Sequence, residues 1–119
     1  MKTIVNSVQD LDTAIAESIV YADVSGCDWA SIQLDLYEDS AVSTYNVMVS
    51  NNAIKWYAAK YLSVDPTTGT LTSSSVTISS GNTMTRMIPV TDVRYIGVQA
   101  PTSGGGGTYK VTIRAASAN

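Results

Sequence analysis

From Tyr45 to Trp56 the chain reads YNVMVSNNAIKW, and few folds accommodate that pattern. Tyr45, Val47 and Val49 alternate with Asn46, Met48 and Ser50; Asn51 and Asn52 break the run, and Ile54 and Trp56 start another. Successive side chains of a strand point to opposite faces, so an alternating run, two asparagines and a second run predict a strand, a tight turn and a returning strand. The expectation is a hairpin with a buried aromatic, Trp56, at its exit.

The same period recurs on both sides of this hairpin. Residues 17–24 (ESIVYADV) are rich in β-branched side chains and end at Ser25 and Gly26. In Trp29 to Tyr37, Ile32, Leu34 and Leu36 share one face, while Ser31, Gln33 and Asp35 share the other. The return strand is expected to run from Ile54 to Val64, with Trp56, Ala58 and Leu62 on one face and Tyr57, Ala59 and Tyr61 on the other. Asp65 to Thr70 (DPTTGT) is a turn, and Thr72 to Ser80 keeps a strand around Val76 and Ile78. Pro89, in Met84 to Val90, cannot donate to a ladder and belongs at an edge or a strand end. Val93 to Ala100 groups Ile96, Val98 and Ala100. Pro101 to Thr108, with its four glycines, is expected to be a hairpin loop leading into Tyr109 to Arg114, where Tyr109, Val111 and Ile113 point inward.

The beginning of the chain is ambiguous. Residues 3–6 (TIVN) read as a short strand or an arm. From Ser7 to Glu17, Val8, Leu11 and Ile15 fit one face of a helix and Ser7 with Asp10 resembles a capping box, yet Asp12 and Thr13 suit a loop. A loop with at most one or two helical turns is the favoured reading. Seven or eight short strands joined by Gly, Pro, Asn and Ser turns predict an all-β fold: an antiparallel β-sandwich, jelly-roll-like, with at most one short helix near the N-terminus. The expected organisation is a single domain over residues 1–119, with 1–16 as an arm or loop. A chain of 119 residues buries roughly two-thirds of the surface it exposes when unfolded, enough for a core without staples.

Composition narrows the function. Charged residues make up 14% of the chain and hydrophobic residues 45%, so the polar surface is mostly Ser, Thr, Asn and Gln. Neutral hydroxyls and Tyr cost less to desolvate than Lys or Glu, which suits a protein packed against neighbours and equally an ordinary Thr-rich β protein. The net charge of −3 and the lack of a Lys/Arg patch argue against nucleic acid. Charge is unevenly placed. Asp10, Asp12, Glu17, Asp23, Asp28, Asp35, Glu38 and Asp39 stand early against Lys2, whereas Lys55, Lys60, Arg86, Arg94, Lys110 and Arg114 follow against Asp65 and Asp92. In a sandwich the two halves interleave and cancel this asymmetry; otherwise it leaves patches suited to head-to-tail contacts. No apolar run is long enough for a signal peptide or a membrane span, so synthesis in the host cytoplasm and no membrane partner are expected.

Catalytic chemistry has little to work with. The sequence has no histidine, which removes Ser-His-Asp and Cys-His nucleophile systems and His-ligated metals. Cys27 is the single cysteine, so no internal disulfide forms, and a small buried hydrophobe is its expected role. Asp35, Glu38 and Asp39 form a carboxylate group without metal-ligand spacing, best read as solvated. The run Gly104 to Gly107 lacks the Lys and the strand-to-helix context of a phosphate loop. Trp29 and Trp56 suit either the core or a sugar-stacking platform, the core being favoured. No enzyme activity, cofactor or metal is expected. Tyr57 and Tyr61 are the candidate interface residues, because Tyr is enriched in contacts.

Three segments, Val47 to Trp56 (VMVSNNAIKW), Val93 to Val98 (VRYIGV) and Thr102 to Arg114 (TSGGGGTYKVTIR), resemble a pattern of small β-sandwich proteins of tailed bacteriophage virions. In that pattern an alternating strand ends in Ser-Asn-Asp-Gly with a Trp shortly after. A strand Val-Arg-Tyr-Val-Arg-Val, a Gly/Ser loop and a final alternating strand follow. Here Asn52 and Ala53 stand in place of Asp-Gly, and Gly97 replaces the second Arg. The resemblance implies a structural virion protein, of capsid decoration, head-fibre or tail-appendage type. A capsid decoration protein is preferred, acting as a homotrimer on the major capsid protein or other virion proteins. A carbohydrate-binding β-sandwich module that uses surface aromatics is the alternative.

Overall fold

The computed structural model describes residues 4–12, 18–36, 44–75, 77–79, 83–100 and 108–118; for 36, 44, 61–64, 72–75, 77–79, 83, 85–87 and 108–109 it describes the backbone. None of the described residues is helical. Eleven strands follow in order: β1 (Ile4–Asp12), β2 (Ile19–Asp23), β3 (Trp29–Leu36), β4 (Thr44–Ser50), β5 (Tyr57–Ala58), β6 (Lys60–Val64), β7 (Leu71–Ser75), β8 (Thr77–Ser79), β9 (Thr83–Pro89), β10 (Tyr95–Gln99) and β11 (Thr108–Ala116).

Two antiparallel sheets face each other. One has the order β1-β11-β3-β9; the other runs β2-β10-β4-β5, with β8 also on β4. The pairing is nested. The first strand pairs with the last, the second with β10, the third with β9, and β4 folds back on β5. The chain is thus one long antiparallel ribbon rolled into a sandwich, a jelly roll in topology. β6 and β7 pair only with each other among the described residues, forming a separate hairpin.

Alternation decides which side chains meet between the sheets. Ala30, Ile32 and Leu34 of β3 are buried with Val111, Ile113 and Ala115 of β11, and they face Tyr45 and Val47 of β4 with Ile96 and Val98 of β10. Val24, Cys27, Val90 and Ala100 close the core near the strand ends. Cys27 is buried, as expected, and its thiol pKa is raised, first by burial and then by Asp28 and Asp23.

Five expectations for the strands need correction. Residues 4–12 are a nine-residue edge strand, not an arm or a loop. Val8 and Leu11, which helical spacing would place on one face, lie on opposite faces of β1, with Val8 exposed and Leu11 buried. Pairing of all nine residues with β11 outweighs the local helical spacing. Residues 13–17 lie outside the described segments. The return strand does not run unbroken from Ile54 to Val64. Ala59 is buried and its N–H donates to the Val47 carbonyl at 2.8 Å, after which the chain leaves β4 and pairs Lys60 with Ser75. β10 and β11 are not a hairpin, because they lie in different sheets; the glycine run between them is outside the described residues. The buried aromatic of the central hairpin is Tyr45, not Trp56, which is half-buried on an outer face.

Thr72 to Ser80, expected as one strand, supplies two: β7 pairs with β6 and β8 with β4, in different sheets. The inward faces expected of β3, β10 and β11 hold where they are described. Ile32 and Leu34, Val111 and Ile113, and Ile96, Val98 and Ala100 point inward. Pro89 is both the last residue of its strand and on an edge strand. The charge asymmetry cancels by interleaving: Lys110 stands between Asp10 and Asp35 in register, and Arg94 lies 3.6 Å from Asp23.

Gly97 shows why one departure from the phage-virion pattern is required here. A Cβ at this position would stand 2.5 Å from the Val20 carbonyl oxygen and 2.8 Å from the Tyr21 Cβ. The side chain of Tyr21 lies beside Trp56 and Tyr95, with ring centroids 5.1 and 5.5 Å away. Gly97→Ala is expected to lower stability by about 2 kcal/mol, in the range of overpacking costs. Urea titration of both proteins reads this directly; an unchanged midpoint would show that β2 does not close on β10 at Gly97.

Candidate interaction surfaces

Three loops meet at one end of the sandwich: 24–28, 51–55 and 90–94. An open depression of about 510 Å³ lies between them, lined by Ser25, Asp28, Asn51, Thr91, Asp92 and Arg94 among others. A second of about 210 Å³ adjoins it, between Asn52, Lys55, Tyr57 and Val93.

Asp23 beside these depressions, and Asp28, Asn51 and Asn52 in their lining, are engaged in holding the loops. Asp23 Oδ1 accepts from the Ser25 N–H at 2.9 Å and the Ser25 hydroxyl at 2.6 Å. These bonds, ahead of the nearby Arg94, hold the Asp23 carboxyl below its usual range, so it is ionised at neutral pH and is no proton donor there. Asp28 Oδ2 accepts from the Ala118 N–H at 2.6 Å, and its backbone joins Ala116 and Val90. Asn51 Oδ1 accepts from the Arg94 N–H at 2.9 Å, fastening the central turn to the residue that enters β10. Among the described residues no group of three or more His, Cys, Asp or Glu converges on a metal position. Asp35 accepts from Gln33 Nε2 at 2.9 Å on an outer sheet face, while Glu38 and Asp39 lie outside the described residues.

The turn 50–55 is built by two short side chains. Ser50, buried, accepts at Oγ from the N–H groups of Asn52 and Ala53 at 3.2 and 3.0 Å and donates to the Lys55 carbonyl at 2.6 Å. Asn52 Oδ1 accepts from the N–H groups of Ile54 and Lys55 at 2.9 and 3.0 Å. Ala53 has φ 58°, the left-handed conformation that glycine adopts without cost. Asn52 therefore uses an oxygen that an Asp would also supply, and Ala53 occupies the backbone geometry of the Gly in the virion pattern.

The aromatic candidates separate. Tyr57 is 58% exposed, with Lys55 Nζ 5.8 Å from its ring centre. Tyr61 lies in β6 opposite Ser74, beyond the point where the chain changes sheet, and its side chain is outside the described residues. The two tyrosines belong to different strands, β5 and β6, rather than to one continuous strand. Trp29, expected in the core, is 44% exposed at the start of β3, on the outer face of the four-stranded sheet. Ile4, Val8 and Met84 are exposed on that same face. Sequence reasoning missed this surface because its members come from three strands, and only the register assembles them.

No family model and no curated protein matches this sequence. One solved structure does match in fold. It is the crystal structure of the SPBc2 prophage-derived protein YomS, similar over 98% of this chain and 96% of that one, with a TM-score of 0.66 at 10% sequence identity. At that identity the likeness establishes a shared sandwich architecture along nearly the whole length of both chains.

The turn supports a direct test. Ser50→Ala is expected to cost about 1–3 kcal/mol, because it strands buried backbone groups. Asn52→Asp should be tolerated, whereas Asn52→Ala loses about 1 kcal/mol. Ala53→Gly should gain up to about 1 kcal/mol by releasing left-handed strain. Denaturant midpoints of the four variants check the ranking; equal midpoints for Asn52→Asp and Asn52→Ala would refute the acceptor role.

Proposed function

We propose that this chain is a structural protein of a tailed-phage particle, acting as a capsid decoration protein that binds the outer shell and bridges its neighbours. The observation that carries the reading is the fold correspondence with a prophage-derived protein over 98% of the chain. Two features of the molecule accord with it. The polar groups of the loop end are tied into local hydrogen bonds that build a rigid sandwich. An outer sheet face carries exposed Ile4, Val8, Trp29 and Met84, which suits contact with other proteins better than chemistry on a small molecule. The exposure of Trp29 also suits a glycan-binding module, since stacking on a sugar requires an accessible ring.

Induction of phage from cells carrying this gene, followed by gradient purification and quantitative mass spectrometry of the particles, tests the proposal. The chain is expected in intact particles at many copies each, and on the heads rather than the tails after the two are separated. Its presence in the lysate but absence from purified particles would overturn the reading. Quenching of Trp29 fluorescence by host polysaccharide, lost in Trp29→Ala, would favour the glycan module instead.

A further inference from the structure

We propose that the outer face of the sheet β1-β11-β3-β9 docks a second copy of this chain, about a two-fold axis that runs parallel to the strands between β3 and β11. The proposal depends on this face alone and stands or falls separately from the virion reading.

The register lays out the face in rows. Ile4, Ala116, Trp29 and Pro89 stand side by side across the four strands. A second row holds Val8, Thr112, Gln33 and Met84, and a third holds Asp10, Lys110 and Asp35. All of these point away from the core, because their neighbours along each strand are the core residues Leu11, Ala30, Ile32, Leu34, Val111 and Ile113. Ile4, Val8, Trp29 and Met84 are 63%, 53%, 44% and 53% exposed. Exposed large apolar side chains gathered on one flat face mark a contact surface.

Charge and shape select the occupant. Rotation about an axis parallel to the strands exchanges β11 with β3 and β1 with β9. Each row then meets the same row of the second copy. Val8 faces Met84, the small Ala116 faces Trp29, Thr112 faces Gln33, and Lys110 faces Asp35, twice over. Arg114, which pairs in register with Ser31, faces the Ser31 hydroxyl of the second copy. The alternative face-to-face axis, perpendicular to the strands through Thr112, sets Arg114 against Lys110 and is disfavoured by like charge. The face is thus self-complementary in one orientation, as a two-fold contact requires.

The size of the face sets the strength. Strand spacings of about 4.8 Å and about 3.3 Å per residue give roughly 500 Å² per copy, hence about 1,000 Å² for the pair, at the lower limit for a specific interface. Association should therefore depend on concentration over the range reached in a crowded assembly. The two-fold register favours a pair over the homotrimer expected from the virion resemblance.

Sedimentation equilibrium over a wide concentration range, with circular dichroism to verify folding, tests the pairing. The wild-type mass should rise from 12.6 kDa to twice that value. Lys110→Glu and Asp35→Lys should each weaken the dimer by roughly tenfold or more, because each sets like charges in contact. Mixing these two variants should restore association. In the mixed pair the new acid at position 110 of one copy meets the new base at position 35 of the other, and the unchanged Asp35 meets the unchanged Lys110. Restoration by mixing cannot come from a role within one chain. Met84→Lys, at an exposed position, should weaken the dimer without unfolding the monomer. A wild-type mass that stays at one copy, a trimer, or a mixture no better associated than its components would overturn the proposal.

Discussion

The fold depends on the turn at Ser50 to Lys55, because there the chain reverses on itself and every later pairing follows from that reversal. Two side-chain oxygens, Ser50 Oγ and Asn52 Oδ1, occupy four backbone N–H groups in six residues. Once β4 and β5 are set against each other, β3 meets β9, β2 meets β10, and β1 meets β11. Asn51 links the turn to the Arg94 N–H, so the reversal is also fixed to the strand that will pair with β4. Most of the resulting contacts join residues far apart in sequence, which predicts slow folding relative to helical domains of this size.

Nesting also explains the charge distribution. Acidic residues of the early strands and basic residues of the late strands are brought into register by the same pairing that builds the sheets. Lys110 lies between Asp10 and Asp35, and Arg94 beside Asp23. The two outer faces then differ in kind. On the second sheet Tyr21 packs against both Trp56 and Tyr95, and its backbone closes on Gly97. On the first sheet, Ile4, Val8, Trp29 and Met84 are left accessible. Asp23 and Asp28 at the loop end are held by hydrogen bonds, and four large apolar side chains stand exposed on the outer face of the first sheet.

Strand identity was legible wherever alternation was strong and both neighbours were strands, as in β3, β4, β10 and β11. The layered all-β architecture followed from that periodicity. Partner choice was not legible. Nothing in IVNSVQDLD says that it pairs with residues about a hundred positions later, and that pairing is what makes it a strand in spite of its helix-like local spacing. The glycine-rich stretch between β10 and β11 reads as a hairpin loop for the same reason: proximity in sequence is the only guide to pairing until the sheet is assembled. Tyr57 stands out by residue type and is exposed, but the surface around Trp29 is invisible in the sequence, because Val8, Trp29 and Met84 come onto one face only through the register of four strands.

The nested pairing is the claim on which the rest stands, and cross-strand nuclear Overhauser contacts in the isotope-labelled protein test it most directly. Close backbone contacts between Asn6 and Arg114, and between Ala30 and Ile88, are predicted by the β1–β11 and β3–β9 registers. Sequential hairpin contacts joining β10 to β11, with none between β1 and β11, would contradict it.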